Sequence, residues 1–215
     1  MNKMKLIAGI VLFGSLWGFS ECIIGSILRD WNLPAGAIMT GFFAIGLMTI
    51  SRLLYKERGM QLGMGITAGT LRLLNPFGGC YICSAFAIMA EALFFEIIWY
   101  KISFDLNELN TPKLSISMGI VSAYMIYVGG YIITQILTPL VSSAGFYFEN
   151  LLVFIPQILS SGLTAALIGG ITVPLIIATK RFEFKIEKQL YYPVTLGISF
   201  LCWFIVIANT LIFLS

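Results

Sequence analysis

The sequence predicts an all-α fold, a polytopic transmembrane helical bundle of about seven spans, and three observations carry that prediction. Hydrophobic residues make up 59% of the chain and charged residues 11%, with a mean hydropathy of +0.94, a balance that no soluble domain's surface can hold. The apolar runs approach the roughly 20 residues a helix needs to cross a bilayer core of about 30 Å. Lys and Arg also fall in alternate connections between those runs, as the positive-inside rule demands of correctly divided spans.

The first run, about Leu6 to Leu28, follows a basic MNKMK start and superficially resembles a signal peptide. It continues past Glu21 without a small-residue cleavage site, so it reads as a retained helix. Arg29 to Asn32 make an interfacial turn, and Pro34 opens helix two, where its missing N–H is harmless. That helix runs to about Tyr55 and is stopped by a charged loop ending in Gly59. Helix three, about Met60 to Leu74, is short, rich in glycine and ended by Asn75-Pro76-Phe77-Gly78-Gly79. Helix four spans about Cys80 to Ile102. Helix five spans about Leu114 to Val141 and contains Gly129-Gly130, with Pro139 in its last turn. After a loop from Ser142 to Asn150, helix six extends to about Thr179 with Pro156 and Pro174 as expected kinks. A charged connector, Arg181 to Gln189, leads to helix seven, about Leu190 to Leu214; its alternation of Phe182, Phe184 and Ile186 with charges suits a strand-like or interfacial segment. With the N-terminus inside, every Lys and Arg except Arg29 and Arg72 lies on the cytoplasmic side, which sets the topology as N-in, C-out. The organisation expected is a six-helix bundle over 1–180, then a connector and additional helix over 181–215.

Composition also excludes chemistry. The chain has no histidine, which removes His-ligated haem or zinc and a Ser-His-Asp triad. The sequence implies no metal and no cofactor. No G-x-x-x-x-G-K-[ST] occurs, so any ATP-driven role needs a separate motor. The few basic residues are topology signals rather than a nucleic-acid footprint.

Charges inside apolar runs mark the candidate site. Arg72, Glu91 and Glu96 lie within the stretch from Gly59 to Trp99, and Glu21 reaches the same outer level from helix one. A charge at membrane depth costs about 2.5–3.5 kcal/mol on insertion scales, so it faces protein or a water-filled cavity and is a functional candidate. At 1.5 Å per residue Glu21 lies in the outer half, Glu91 near the midplane and Glu96 deeper, rotated about 140° from Glu91, so the last two need not share a site. Glu21, Arg72, Asn75, Asn150 and Gln157 suggest an outward-facing polar pocket with Trp17 as an aromatic wall. The competing structural reading has Arg72 snorkelling to the outer headgroups and pairing with Glu21.

Two small-residue ridges, Gly14, Gly18 and Cys22 on helix one and Gly162, Ala166 and Gly170 on helix six, allow close helix approach, either within the bundle or on a partner. Cys80-Tyr81-Ile82-Cys83 is a C-x-x-C at a helix N-terminus, a position that favours thiolate chemistry. It is open to three readings: a redox pair working with a quinone, a structural disulfide, or two ordinary buried cysteines.

The order Leu16-Trp17-Gly18 with Glu21 and Gly25, Leu33-Pro34-Ala35-Gly36 opening helix two, the glycine-rich helix three, Ala90-Glu91-Ala92-Leu93, and Ile155-Pro156-Gln157 with Ala165-Ala166 resembles the membrane-embedded substrate-binding S components of energy-coupling factor (ECF) vitamin transporters. The likeness covers about residues 5 to 180. It implies a six-helix bundle in a prokaryotic plasma membrane that captures a vitamin-like micronutrient near its outer face. Such a subunit is not itself an enzyme and docks on a transmembrane coupling subunit driven by ATPase subunits. In that family alanines spaced by four on helix one meet the coupling subunit; Gly14 and Gly18 match those positions here, with glycine in place of alanine. The seventh helix departs from the pattern. The resemblance and the polar positions together assign Trp17, Glu21, Arg72, Asn75, Glu91 and Gln157 to substrate binding, Gly14 and Gly18 to docking, and leave Cys80 and Cys83 as the possible redox pair. Two other functions stay open: a membrane thiol oxidoreductase using Cys80 and Cys83 with a quinone, and a non-transporting subunit of a membrane complex.

Overall fold

A computed structural model of the chain describes residues 3–77, 80–101, 111–141, 148–179 and 188–214. The connector residues 180–187, with Arg181, Phe182, Phe184 and Ile186, and the loop residues 142–147 lie outside the described residues. Every element among the described residues is helical: α1 Lys3–Asp30, α2 Ala35–Tyr55, α3 Met60–Leu73, α4 Tyr81–Lys101, α5 Pro112–Val141, α6 Phe148–Thr179 and α7 Lys188–Leu214. Six of them, all but α3, are long and apolar enough to cross a membrane. The expected third helix is present but has 14 residues, about 21 Å of rise, short of a bilayer core.

Both α1 and α2 are interrupted by a π turn, at Ser20–Ile24 and Met39–Ala44 respectively. The prolines of α6, Pro156 and Pro174, and Pro193 of α7 sit inside helices that continue through them. Gly59 does not stop helix two as expected. Lys56 does so in a left-handed conformation (φ 52°), and Gly59 (φ 77°) instead occupies the N-cap of α3. Its conformation strains any other residue, which explains a glycine there.

The helices pack in the ring order α1, α3, α4, α5, α6, α2, with α2 returning to α1. Trp17, Met48, Met64, Phe95, Trp99, Ile126 and Val173 fill the centre. Close approach in this ring rests on small residues. At Gly41 on α2 an added Cβ would stand 2.7 Å from the Ala165 carbonyl of α6. Outside the ring, α7 runs parallel to α1. Tyr191 donates to the Lys5 carbonyl (3.3 Å), Trp203 Nε1 to Ser15 Oγ (2.9 Å) and Thr210 Oγ1 to the Leu74 carbonyl (3.2 Å). Its other side exposes Leu196, Phe200, Phe204 and Leu211, the face expected of a perimeter helix toward lipid.

Candidate functional site

A cavity of about 170 Å³, mostly apolar in its lining but carrying two acidic side chains, opens between α1, α2, α4 and α5. Two helical stripes form its sides. Ser84, Ala87, Ile88 and Glu91 come from α4 at the 3-4-7 spacing of one helix face, and Tyr127, Gly130, Tyr131 and Thr134 come from α5 at the same spacing. The other walls come from α1, with Glu21 in its π turn and Arg29 beyond it, and from the start of α2, with Ala35 and Gly36 ahead of Met39 and Thr40 in its π turn. A π turn widens the helix by one residue and re-aims the side chains it carries, and such turns concentrate at functional sites. In α1 the Ser20 hydroxyl donates to the carbonyls of Leu16 and Trp17, both at 2.8 Å, occupying groups that regular helix bonding would use.

Glu91 is the deepest charged group of the cavity, 8% exposed. Its Oε1 accepts the Thr40 hydroxyl at 2.9 Å, and its Oε2 has no hydrogen-bond partner. The carboxylate fits because α5 offers bare backbone: a Cβ on Gly130 would stand 2.8 Å from Glu91 Cγ, while neighbouring Gly129 receives the Phe94 ring. The paired glycines of helix five thus seat two consecutive turns of α4. Glu21 is half-buried, and its Oε1 accepts Trp17 Nε1 at 3.3 Å. Arg29 stands in the lining and is exposed, donating to Ser26 Oγ at 3.0 Å.

The six residues assigned to substrate binding therefore separate. Glu21 and Glu91 line one cavity; Trp17 is fully buried in the core and reaches that cavity only through its bond to Glu21. Gln157 is exposed on α6, outside the cavity lining. The side chain of Asn150 lies outside the described residues. Arg72 and Asn75 are engaged elsewhere. Arg72, 2% exposed, donates Nη1 to the Asn75 carbonyl (2.8 Å) and to Asn75 Oδ1 (3.2 Å), Nη2 to the Phe77 carbonyl (2.8 Å) and Nε to Ser84 Oγ (3.2 Å). The sequence assigned Arg72 to substrate binding; in the structure its guanidinium bonds to groups of the chain itself. Because α3 is short, the irregular backbone after it would lie below the headgroups, where unpaired carbonyls are costly. Arg72 satisfies two of them and Thr210 a third, at Leu74.

The remaining intramembrane acid, Glu96, serves the opposite end of α3. Its carboxylate accepts the Gly59 N–H and, at 3.0 Å, the Leu62 N–H, two of the donors a helix start leaves without partners. Glu91 and Glu96 do not share a site.

Both small-residue ridges are used internally. An added Cβ at Gly14 would stand 2.5 Å from Thr67 Cβ and 2.8 Å from the Met64 carbonyl; at Gly18 it would meet Leu71 at 2.9 Å. Helix α3 covers both positions, so the docking assignment of Gly14 and Gly18 is corrected to packing of α1 on α3. Gly162 and Gly170 likewise face Tyr124 and Ile120 of α5. Cys80 and Cys83 form a disulfide immediately before Ser84 of the cavity wall, whereas Cys22 and Cys202 are buried free thiols.

Sequence reasoning missed Thr40, Tyr127, Tyr131 and Thr134. Only the 3-4-7 spacing on helix five could have grouped the last three, and only with Glu91 known to face them. No protein-family model, curated protein or solved structure matches the chain.

Proposed function

We propose that this protein is a membrane-embedded substrate-binding subunit of a small-molecule uptake transporter, similar in role to the S components of energy-coupling factor systems. One observation carries the reading: two π turns on adjacent helices bring Glu21 and Thr40 to a cavity whose far wall holds the buried Glu91. A few convergent polar groups in a mostly apolar cavity are what a small-molecule binding site requires. In this reading the chain sits N-in, C-out in a prokaryotic plasma membrane with α3 as a short seventh span, and the cavity opens outward. The chain carries no nucleotide-binding motif, so transport is energised by separate coupling and ATPase subunits. The coupling subunit meets a face other than the Gly14 and Gly18 ridge, which α3 occupies.

Mass spectrometry of small molecules released from gently solubilised, purified protein tests this. A stoichiometric, vitamin-sized or smaller polar compound supports it, and recovery of lipid alone counts against it. The Cys80–Cys83 disulfide favours one second reading, a thiol oxidoreductase. A released quinone, together with loss of activity in Cys80→Ser and Cys83→Ser, would move the assignment there.

A further inference from the structure

The binding reading above leaves the ligand's chemistry open, and the following inference rests on it. Glu91 and Glu21 face one cavity, and Glu91 Oε2 is buried with no hydrogen-bond partner. The lining holds two carboxylates and one guanidinium, that of Arg29; Arg72 and Arg29 both act electrostatically on Glu21, whereas the charge acting on Glu91 is that of Glu21. Arg72 does not line the cavity; its donors are held by Asn75, Phe77 and Ser84. Tyr127 and Tyr131 stand in the same lining, on the α5 stripe that Glu91 packs against, with ring centroids 5.8 Å apart; the face of an aromatic ring attracts a cation placed within about 6 Å of it. The cavity, about 170 Å³, is close to the roughly 150 Å³ that accommodates one benzene and many times the volume of a bare metal ion. Among the described residues no group of three or more His, Cys, Asp or Glu is placed to hold a metal.

We propose that the cavity takes a small organic monocation, an ammonium group on a body about the size of a single ring. Its N–H donors bind Glu91 Oε2 and the Glu21 carboxylate, and its charge lies against the Tyr127 and Tyr131 rings. The ammonium then gives Glu91 a counter-charge and its unpartnered oxygen a donor.

The test uses the full-length protein in detergent and three probes that share a ring and differ in their head group: benzylammonium, benzyl alcohol and benzoate. Benzylammonium is expected to bind at least tenfold more tightly than either of the others. Glu91→Gln and Glu21→Gln should each weaken it at least tenfold, and Tyr131→Leu about two- to fivefold. Because Glu91→Gln risks misfolding, Gly36→Leu serves as a second variant. Gly36 is exposed in the lining, and an added Cβ meets only Tyr127, at 3.5 Å, so leucine there blocks the mouth and abolishes binding in a folded protein. Equal binding of benzyl alcohol or benzoate, lost in Gly36→Leu, overturns the cation inference and leaves the binding function standing. If no probe binds at millimolar concentration the inference also fails, and the released-molecule experiment judges the broader function separately.

Discussion

Replacing Arg72 by alanine tests the structural account of the short third helix. The guanidinium makes four hydrogen bonds, two of them to backbone carbonyls of Asn75 and Phe77, and is 2% exposed. Bonds to a charged group contribute about 1.5–3 kcal/mol each, which places an upper bound of about 6–12 kcal/mol on their removal. Relaxation and entering water recover part of this, and breaking buried charged networks typically costs about 3–5 kcal/mol. Against a total stability of about 5–15 kcal/mol, Arg72→Ala should lose a large fraction of its fold. The suitable assay is equilibrium unfolding in mixed micelles, read by the change in helicity. Arg72→Lys keeps the charge but not the fork, so it should fall between wild type and alanine. Ser84→Ala, which removes one acceptor of the charged guanidinium, should cost about 1.5–3 kcal/mol. An Arg72→Ala protein within about 1 kcal/mol of wild type would refute the claim that the guanidinium holds the loop. Loss of ligand with full stability would restore Arg72 to the pocket.

Three further outcomes follow from particular contacts. Gly14→Ala should destabilise by about 1–3 kcal/mol through overpacking against Thr67 and Met64, whereas Gly197→Ala, with nothing within 4 Å of the added Cβ, should leave stability equal or higher; the same unfolding assay reads both. Glu96→Ala removes the acceptor of the Gly59 and Leu62 N–H groups and should cost about 1–3 kcal/mol, with faster hydrogen exchange confined to the first turn of α3. Thr40→Val takes away the donor to Glu91 Oε1 while keeping the volume and leaves that carboxylate without its hydrogen bond, so it should cost about 1–3 kcal/mol in the unfolding assay and weaken ligand binding severalfold in a titration beside wild type.

The helices themselves were legible because each long run has its own punctuation. Pro34 lies one residue before α2, the Asn75-Pro76 pair follows α3, and the observed ends fall within a few residues of those expected. Glu91 stood out because an acid in an apolar run has few reasons to be there. What could not be read was which neighbour each feature meets. A small-residue ridge has the same spacing whether it faces α3 or another protein, and only packing shows that Thr67 and Leu71 cover Gly14 and Gly18. Arg72 carries the same signal as a ligand-binding arginine, since burial in an apolar segment does not say whether its acceptors are substrate atoms or backbone carbonyls. The π turns were not legible either: Ser20–Ile24 and Met39–Ala44 share no spacing or residue pattern that separates them from regular helix.

The most direct test of the account is native mass spectrometry of the protein released from mild detergent, wild type beside Gly36→Leu. The account predicts a wild-type species carrying one small molecule per chain, displaced by benzylammonium and absent from the leucine variant. Identical spectra for the two proteins, with lipid as the common adduct, would contradict it.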